Sequence, residues 1–196
     1  DGYLINDSPY VTGTHVGFWR YNDASNTLTG QNIPTAARTS PPNADQLGGG
    51  TLLIEAGGAR FRNAVYQNGD LWSSHSVDVS GDGAARMLRI DVATNSVQED
   101  VTLHEPGKHH LYPAIHPDLN DNTIMVYSRS GSDEFIGAYF TGRLDTDPPG
   151  TLAPSTLAKA GEANYVKDFG SGRNRWGDYM GIARCPTTGR IWAFVE

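Results

Sequence analysis

The fold is decided by a hairpin pattern that first appears as FRNAVYQNGDLWSSHS, residues 61–76. An apolar strand leads through an Asn68-Gly69 turn into a second strand, and Asn-Gly between two such runs is a strong hairpin signal. The pattern returns as LYPAIHPDLNDNTIMVYSR, residues 111–129, and as WGDYMGIARCPTTGRIWAFV, residues 176–195. Spacings of roughly 50 and 67 residues between the copies are in the range of repeats that build propellers or solenoids.

A second pattern alternates with the first. FWRYNDASNTL, residues 18–28, aligns without a gap on MLRIDVATNSV, residues 87–97, and each reads as strand, polar turn, strand. The alignment places Trp19 at the position of Leu88, and residues 139–144 form a third, eroded copy. Two hairpins in alternation make a four-stranded antiparallel unit, which is the blade of a β-propeller. The sequence therefore predicts an all-β fold, a β-propeller of four-stranded antiparallel blades.

The length predicts a single domain over residues 1–196. At 40 to 50 residues per blade, the 196 residues make about three to four blades. The last strand-like run, Ile191 to Glu196, stops in mid-pattern, which favours a portion of a larger propeller over a small four-bladed ring. Long loops are expected near residues 29–58 and 145–163, where Pro and Gly accumulate. Loops on a rigid scaffold commonly carry binding sites.

Composition narrows the functional classes. The chain has 15 basic and 22 acidic side chains, a net charge of −7, so nucleic acid is not an expected partner. Cys185 is the only cysteine, which excludes an internal disulfide. No apolar run approaches a membrane span and no signal peptide is visible. A lysine-poor chain rich in Asn, Gly and Thr predicts a secreted or periplasmic protein.

The densest polar and aromatic cluster is GRNRWGDY, residues 172–179, at the lead-in to the third hairpin. The matching lead-ins are residues 60–63 and 109–112. In a propeller the innermost strands line a central channel. The lead-ins, which include Arg60 and His110, are therefore expected to meet at one channel mouth. The predicted ligand-binding residues are Arg62, Tyr112, Arg175, Trp176, Asp178 and Tyr179. The alternative is structural, with Arg175 and Asp178 as a salt bridge between blades and Trp176 as packing.

The same cluster carries a family resemblance. RWGDY, residues 175–179, with IWAFVE, residues 191–196, resembles a motif of uncharacterised secreted bacterial β-propellers that are sialidase-like or BNR-like in broad fold. PPNADQ, residues 41–46, resembles an upstream blade of that group. The resemblance spans about residues 39–196 and implies the fold rather than an activity. Residues 76–83 begin like the Asp-box of sialidases but lack its Gly and Trp.

Two functions follow from these residues. The first is binding of a glycan or an extracellular protein at the channel mouth, because aromatic faces stack on sugars and Arg pairs with carboxylates. The alternative is a carbohydrate-active enzyme, a sialidase-like glycosidase or polysaccharide lyase acting on acidic sugars. Its candidate catalytic residues are Asp178, Tyr179 and Glu134. A third interpretation is a purely structural segment whose partners are the remaining blades of a larger propeller.

Calcium is the only cofactor that the sequence suggests. Asp78 and Asp82 lie in one Gly-rich turn, and Asp118 and Asn120 lie in another, with oxygen side chains at alternating positions as a hard cation requires. Asp and Asn also dominate ordinary hairpin turns, so both interpretations stay open. Zinc-type histidine spacings, phosphate loops and Gly-x-Ser-x-Gly elbows do not occur in the sequence.

Overall fold

A computed structural model describes residues 1–7, 12–50, 52–168, 170 and 172–196. Within these ranges the chain forms strands and no helix, so the all-β prediction is confirmed. Accordingly, none of the described residues lies in a helix that is long and apolar enough to cross a lipid bilayer. The strands are β1 (Gly2–Asp7), β2 (Thr12–Asn22), β3 (Thr27–Thr39), β4 (Ile54–Glu55), β5 (Ala64–Gln67), β6 (Asp70–Val79), β7 (Asp82–Asp91), β8 (Ser96–Leu103), β9 (Lys108–Pro117), β10 (Thr123–Gly131), β11 (Glu134–Arg143), β12 (Thr156–Lys159), β13 (Asn174–Arg175), β14 (Gly181–Arg184) and β15 (Ile191–Phe194).

The strands form antiparallel sheets that follow the two repeats. The first sheet has the order β1-β2-β3, the second β5-β6-β7-β8, the third β9-β10-β11-β12, and β14-β15 is a two-stranded hairpin. The first repeat becomes β5-β6, β9-β10 and β14-β15, and the second becomes β2-β3, β7-β8 and β11-β12. The predicted four-stranded antiparallel unit is therefore present twice. A short parallel ladder joins β4 to β13.

The second repeat owes its shape to its turns. Asn26 and Asn95 occupy matching positions and both adopt positive φ, 52° and 55°. Asn tolerates this left-handed conformation better than most residues. The Oδ1 atom of Asp91 accepts hydrogen bonds from the backbone N–H groups of Ala93 and Thr94, both at 2.8 Å, and Asn22 caps the equivalent turn. Equivalent turn chemistry explains why β2-β3 and β7-β8 align without a gap.

Successive sheets pack face to face in chain order. Phe18 of the first sheet contacts a cluster that includes Leu88 of the second. Trp72 and Met87 of the second sheet pack with Met125 of the third. The third sheet packs in turn against the β14-β15 hairpin. Burial of these alternating apolar side chains is the main source of stability, at roughly 25 cal/mol per Å² of apolar surface.

The two predicted loops are shorter than expected. β3 runs to Thr39, so the segment near 29–58 begins as a strand, and β12 lies inside the segment 145–163. Pro34 suggested a loop, but it lies on the edge strand of the first sheet, beside a register shift between Gly13 and His15. Edge strands and bulges tolerate a residue without an N–H donor.

The outward faces of the first sheet and of the last hairpin are exposed. Leu88 is fully buried between sheets, whereas Trp19 at the matching position is 39% exposed. Trp72 is fully buried on β6, whereas Trp192 on the equivalent strand β15 is 67% exposed. Apolar side chains at these repeat positions are thus covered only where a neighbouring sheet is present.

Candidate functional site

Tyr112 lies at the centre of the site and has an unusual backbone. Its φ is +53°, and the pairing of β9 with β10 shifts register between Val126 and Ser128, opposite Tyr112. A positive φ is uncommon for an aromatic residue, and bulges next to sites re-aim side chains. The redirected phenol is buried, and its hydroxyl donates a 2.7 Å hydrogen bond to the carbonyl oxygen of Glu55. Burial first, then the nearby Asp178 charge, raises the Tyr112 pKa far above its ordinary value, which keeps this donor protonated.

The Arg62 guanidinium lies close to two tyrosine rings. Its Cζ atom is 5.3 Å from the centre of the Tyr112 ring and 5.6 Å from that of Tyr179, within range of cation–π attraction. The Nη2 atom of Arg62 donates to the carbonyl oxygen of Gly57 at 3.3 Å, and Nη1 of Arg60 donates to the same oxygen at 3.3 Å. The two lead-in arginines therefore meet at one point.

Gly57 allows this close approach. Its φ is +68°, and a Cβ atom there would lie 2.6 Å from both Nη2 of Arg62 and Cε1 of Tyr112. Glycine adopts positive φ without steric cost. Any larger residue at this position would compete with the guanidinium for the same space.

The β4-β13 ladder brings a second group of charges to the site. Glu55 pairs in register with Arg175, and its Oε2 atom is 3.9 Å from Nε of Arg175. Arg173 forms an ion pair with the same carboxylate, which raises the pKa of the guanidinium. The Nη2 atom of Arg175 donates to Oδ2 of Asp178 at 2.6 Å.

The site is electropositive in an acidic protein. Four guanidinium groups, those of Arg60, Arg62, Arg173 and Arg175, stand against two carboxylates, those of Glu55 and Asp178. Counted over these described contacts, the local formal charge is +2, whereas the chain carries −7. Such a local excess attracts anions, and Arg presents planar pairs of donors to them.

Most of the predicted ligand-binding residues do meet here. Arg62, Arg175 and Asp178 lie within one cluster of contacts, and Tyr179 covers Arg62 with a ring that is 69% exposed. Tyr112 belongs to the cluster, but it is only 2% exposed. Its place is under Arg62, as support, rather than on the surface that a ligand would touch.

Trp176 departs from the predicted mouth. Its Nε1 atom donates to Oγ of Ser128 at 3.1 Å, and its ring meets Tyr165 edge-on at 4.9 Å. It packs against the core between the third sheet and the β14-β15 hairpin. Trp176 therefore has the packing role that the structural alternative predicted. The predicted salt bridge between Arg175 and Asp178 also forms, but within one segment rather than between sheets.

Glu134 is held in a separate ion-pair network. Arg129 binds both carboxylate oxygens, at 2.9 and 3.0 Å, and the Tyr139 hydroxyl donates to Oε2 at 2.9 Å. Burial alone would raise the Glu134 pKa, but these donors lower it below its ordinary value. An acid held ionised by Arg is poorly suited to proton donation. None of its hydrogen bonds or ion pairs among the described residues involves Asp178.

His110 also lies outside the candidate site, contrary to the prediction. It is fully buried, and its ring nitrogens face two acceptors, the Gly83 carbonyl at 3.1 Å and Oε2 of Glu105 at 3.0 Å. Arg129 and Ser155 donate to the same carboxylate oxygen at 2.8 and 2.7 Å. These donors, the His110 bond first, lower the Glu105 pKa to about 2.

The suggested calcium residues hold turns in this structure. Asp118 accepts from the N–H groups of Asn120 and Asn122 at 2.8 and 3.0 Å. Asp78 accepts from Gly81 at 2.9 Å, and Asp82 binds His104 at 3.0 Å. Among the described residues, no three His, Cys, Asp or Glu side chains converge as metal ligands do. Calcium binding stays a prediction.

Two residues of the site, Glu55 and Gly57, escaped sequence reasoning. Arg173 lies in the cluster at residues 172–179 but was not among the predicted ligand-binding residues. Glu55 ends the apolar run Leu52–Ile54, and the Gly57-Gly58 pair follows it at φ of 68° and 79°. Two consecutive glycines after a strand do signal a special backbone. Nothing local indicated that this segment would pair with residues 174–175.

Comparisons with known proteins give no relative. No protein-family model matches the chain, and neither the curated proteins nor the solved structures contain a significant match. Function must therefore be inferred from the site itself.

Proposed function

We propose that the chain forms consecutive blades of a secreted or periplasmic bacterial β-propeller of the broad sialidase-like type, and that further blades complete the ring. Two four-stranded antiparallel sheets stacked in chain order support this architecture. The exposed Trp19 and Trp192 support continuation at both ends, because their repeat equivalents are buried between sheets. The lead-ins to the inner strands then open onto one mouth of a central channel.

At this mouth the protein binds an acidic glycan. The observation that carries the proposal is Arg62. Its guanidinium lies within cation–π distance of two tyrosine rings and makes one hydrogen bond, to Gly57, in the described contacts. The remaining N–H groups suit a bidentate carboxylate or sulfate. The exposed ring of Tyr179 offers an adjacent stacking surface for a sugar. An extracellular protein with an exposed acidic side chain is the competing ligand.

A titration with paired acidic and neutral glycans tests this proposal. Calorimetric titration with uronate-bearing, sialylated and sulfated oligosaccharides, each beside a neutral counterpart, should show binding of at least one acidic member and none of the neutral ones. Arg62→Ala should weaken that binding by about a hundredfold, since a charge-assisted bidentate contact contributes roughly 1.5–3 kcal/mol. Arg62→Lys should recover little, because lysine lacks the planar pair of donors.

Arg190 serves as the matched control. It lies exposed in the turn between β14 and β15, and its hydrogen bonds in the described contacts involve Thr188 and Cys185 rather than residues of the site, so Arg190→Ala removes one positive charge outside the site. Equal affinities of the Arg62 and Arg190 variants, both with native near-UV circular dichroism, would reject the site. Binding of neutral glycans as tightly as acidic ones would reject the ligand class.

A second candidate function is cleavage of an acidic polysaccharide. The observation that favours it is a second carboxylate, because Glu55 and Asp178 both contact Arg175. Glycosidases commonly use two carboxylates across the scissile bond. Oε2 of Glu55 is buried without a hydrogen-bond partner among the described residues, and its contact there is the 3.9 Å ion pair with Arg175.

Product release decides between binding and cleavage. Reducing ends and unsaturated uronate absorbance are measured for the wild type, Asp178→Asn and Glu55→Gln, with Glu162→Gln as an exposed control. Turnover that falls by about a thousandfold in both site variants, but not in the control, would establish an enzyme. Binding without any product in the wild type would leave a lectin-like module.

A further inference from the structure

Among the strands that the structure describes, one edge of the first sheet lacks the neighbour that its equivalents have. β1 pairs with β2 as β6 pairs with β7, so β1 and β6 occupy the same place in their sheets. β6 also pairs with β5 on its other edge, and β10 likewise pairs with β9. In the part of the chain that the structure describes, β1 pairs with β2 alone. We call the other edge of β1 the inner edge.

A cavity lies beside this inner edge. Its volume is about 490 Å³, and it is lined by residues of β1 and by the lead-in to β5, namely Ile5, Asn6, Asp7, Arg60 and Phe61. Phe61 stacks on His75 at 4.2 Å between ring centres. The Arg60 side of the cavity adjoins the candidate site, because Arg60 shares the Gly57 carbonyl with Arg62.

The buried carboxylate of Asp7 marks the end of the edge. Its side chain is 3% exposed, and neither oxygen has a hydrogen-bond partner among the described residues. Nε of Arg38 is 3.5 Å from Oδ1 of Asp7. Nδ1 of His75 is 3.6 Å from the same oxygen, but its hydrogen-bond partner is the Ala59 carbonyl oxygen at 2.9 Å. Buried carboxylates are normally satisfied by several donors. Among the described residues, Asp7 therefore has Arg38 and His75 within ion-pair distance but no hydrogen-bond donor.

We propose that the inner edge of β1 accepts an extended polypeptide strand of the β5 type, antiparallel to β1, with a side-chain N–H donor that reaches Asp7. This inference rests on the blade arrangement proposed above. Backbone hydrogen bonds to β1 supply affinity, as in other β-augmented complexes. Because Arg60 lines both the cavity and the candidate site, the added strand lies beside that site.

A synthetic peptide is the probe. GARFRNAVYQ, the sequence of residues 58–67, carries the β5 pattern and two Arg donors. Hydrogen–deuterium exchange on the full chain should show that saturating peptide slows exchange of residues 2–7 by about tenfold or more and leaves residues 191–194 unchanged. A scrambled peptide should protect neither strand.

Variants at the carboxylate test the assigned contact. Asp7→Asn should weaken peptide binding by about tenfold, whereas Asp133→Asn, at a carboxylate that is 71% exposed, should not. Ile5→Lys is the second variant, which places a charge in the cavity if Asp7→Asn fails to fold. Protection of 191–194 in place of 2–7, or unchanged affinity in either folded variant, overturns the proposal.

The outcome is separable from that of the glycan site. Acidic glycan binding is measured on the same samples, so a peptide failure with intact glycan binding removes only the strand proposal. The reverse result removes only the glycan proposal. Protection of residues 2–7 without peptide, together with a dimeric native mass, would show a second copy on the edge and would also overturn the assigned occupant.

Discussion

The Tyr112 hydroxyl donates a 2.7 Å hydrogen bond to the backbone carbonyl oxygen of Glu55. This bond joins the bulged inner strand of the third sheet to the segment that pairs with residues 174–175. The bond thereby holds together two parts of the site that are 57 residues apart in the chain. The positive φ of Tyr112 and the bulge beside it direct the phenol toward Glu55, which accounts for the strained backbone at this residue.

Tyr112→Phe should destabilise the protein without removing the ring under Arg62. Losing the donor leaves a part-buried carbonyl without its partner, which costs about 1–3 kcal/mol. In a protein of this size each kcal/mol lowers the melting temperature by about 2–4 °C. Calorimetry of the variant beside Tyr66→Phe, whose ring is 52% exposed, measures the difference. Equal melting temperatures of the two variants would show that the Tyr112–Glu55 hydrogen bond does not stabilise the protein.

Gly57→Ala should be more damaging than an alanine at another glycine with similar φ. Gly150 has φ of +79°, and a Cβ atom there would meet nothing within 4 Å. Gly150→Ala therefore costs only the backbone strain, roughly 1–2 kcal/mol. Gly57→Ala adds the clash with Arg62 and Tyr112, about 1–3 kcal/mol more.

Urea unfolding gives the stability difference between the two alanine variants, and acidic-glycan titration of both reports whether Arg62 has moved. Equal free energies of unfolding would mean that Arg62 and Tyr112 make room for the added methyl group at no cost in stability.

The repeats were readable from the sequence because they depend on local signals. Hairpin turns at Asn68-Gly69 and at Asn95 are set by residues that tolerate positive φ, so strand pairing within each hairpin follows from neighbours in the chain. The lead-ins of β5 and β14 also contact each other, through Arg62 and Tyr179. Their proximity follows from the repeat alone once equivalent strands occupy equivalent positions.

The errors at the site arose where long-range contacts decide. Trp176 and Tyr179 belong to one lead-in, yet one packs inside while the other is exposed. Residues 176–180 are irregular rather than a strand, so the alternation rule for strand faces does not apply to them. The role of Glu55 depends on pairing with a segment about 120 residues further along the chain, and no local pattern encodes that pairing.

Glu105 should make stability depend on pH in the acid range. Its pKa falls from 4.5 to about 2 in the folded protein, chiefly through the hydrogen bond from His110. Because the folded pKa is depressed, the stabilisation is complete above about pH 4.5 and is lost as the pH falls toward 2. Glu105→Gln should therefore be less stable than wild type at pH 7 and should lose less stability between pH 4.5 and 2.

Urea midpoints measured from pH 7 to pH 2 test the role of Glu105. Glu162→Gln is the control, since that carboxylate is 79% exposed and pairs only with Lys159 in the described contacts. Exposed pairs of this kind contribute little, so its profile should follow that of the wild type. Parallel profiles for wild type and Glu105→Gln would contradict the assigned role of the His110–Glu105 bond.

Trp72 and Trp192 occupy equivalent strands and should respond oppositely to truncation. Trp72 is fully buried between the second and third sheets, with the Arg89 guanidinium 4.6 Å from its ring centre. Trp72→Ala should cost about 3–5 kcal/mol. Trp192 is 67% exposed, so Trp192→Ala in the 196-residue chain should change the free energy of unfolding by about 0.5 kcal/mol or less. A large loss at Trp192 would show that another surface already covers β15 in solution, which native mass spectrometry would identify as a second copy.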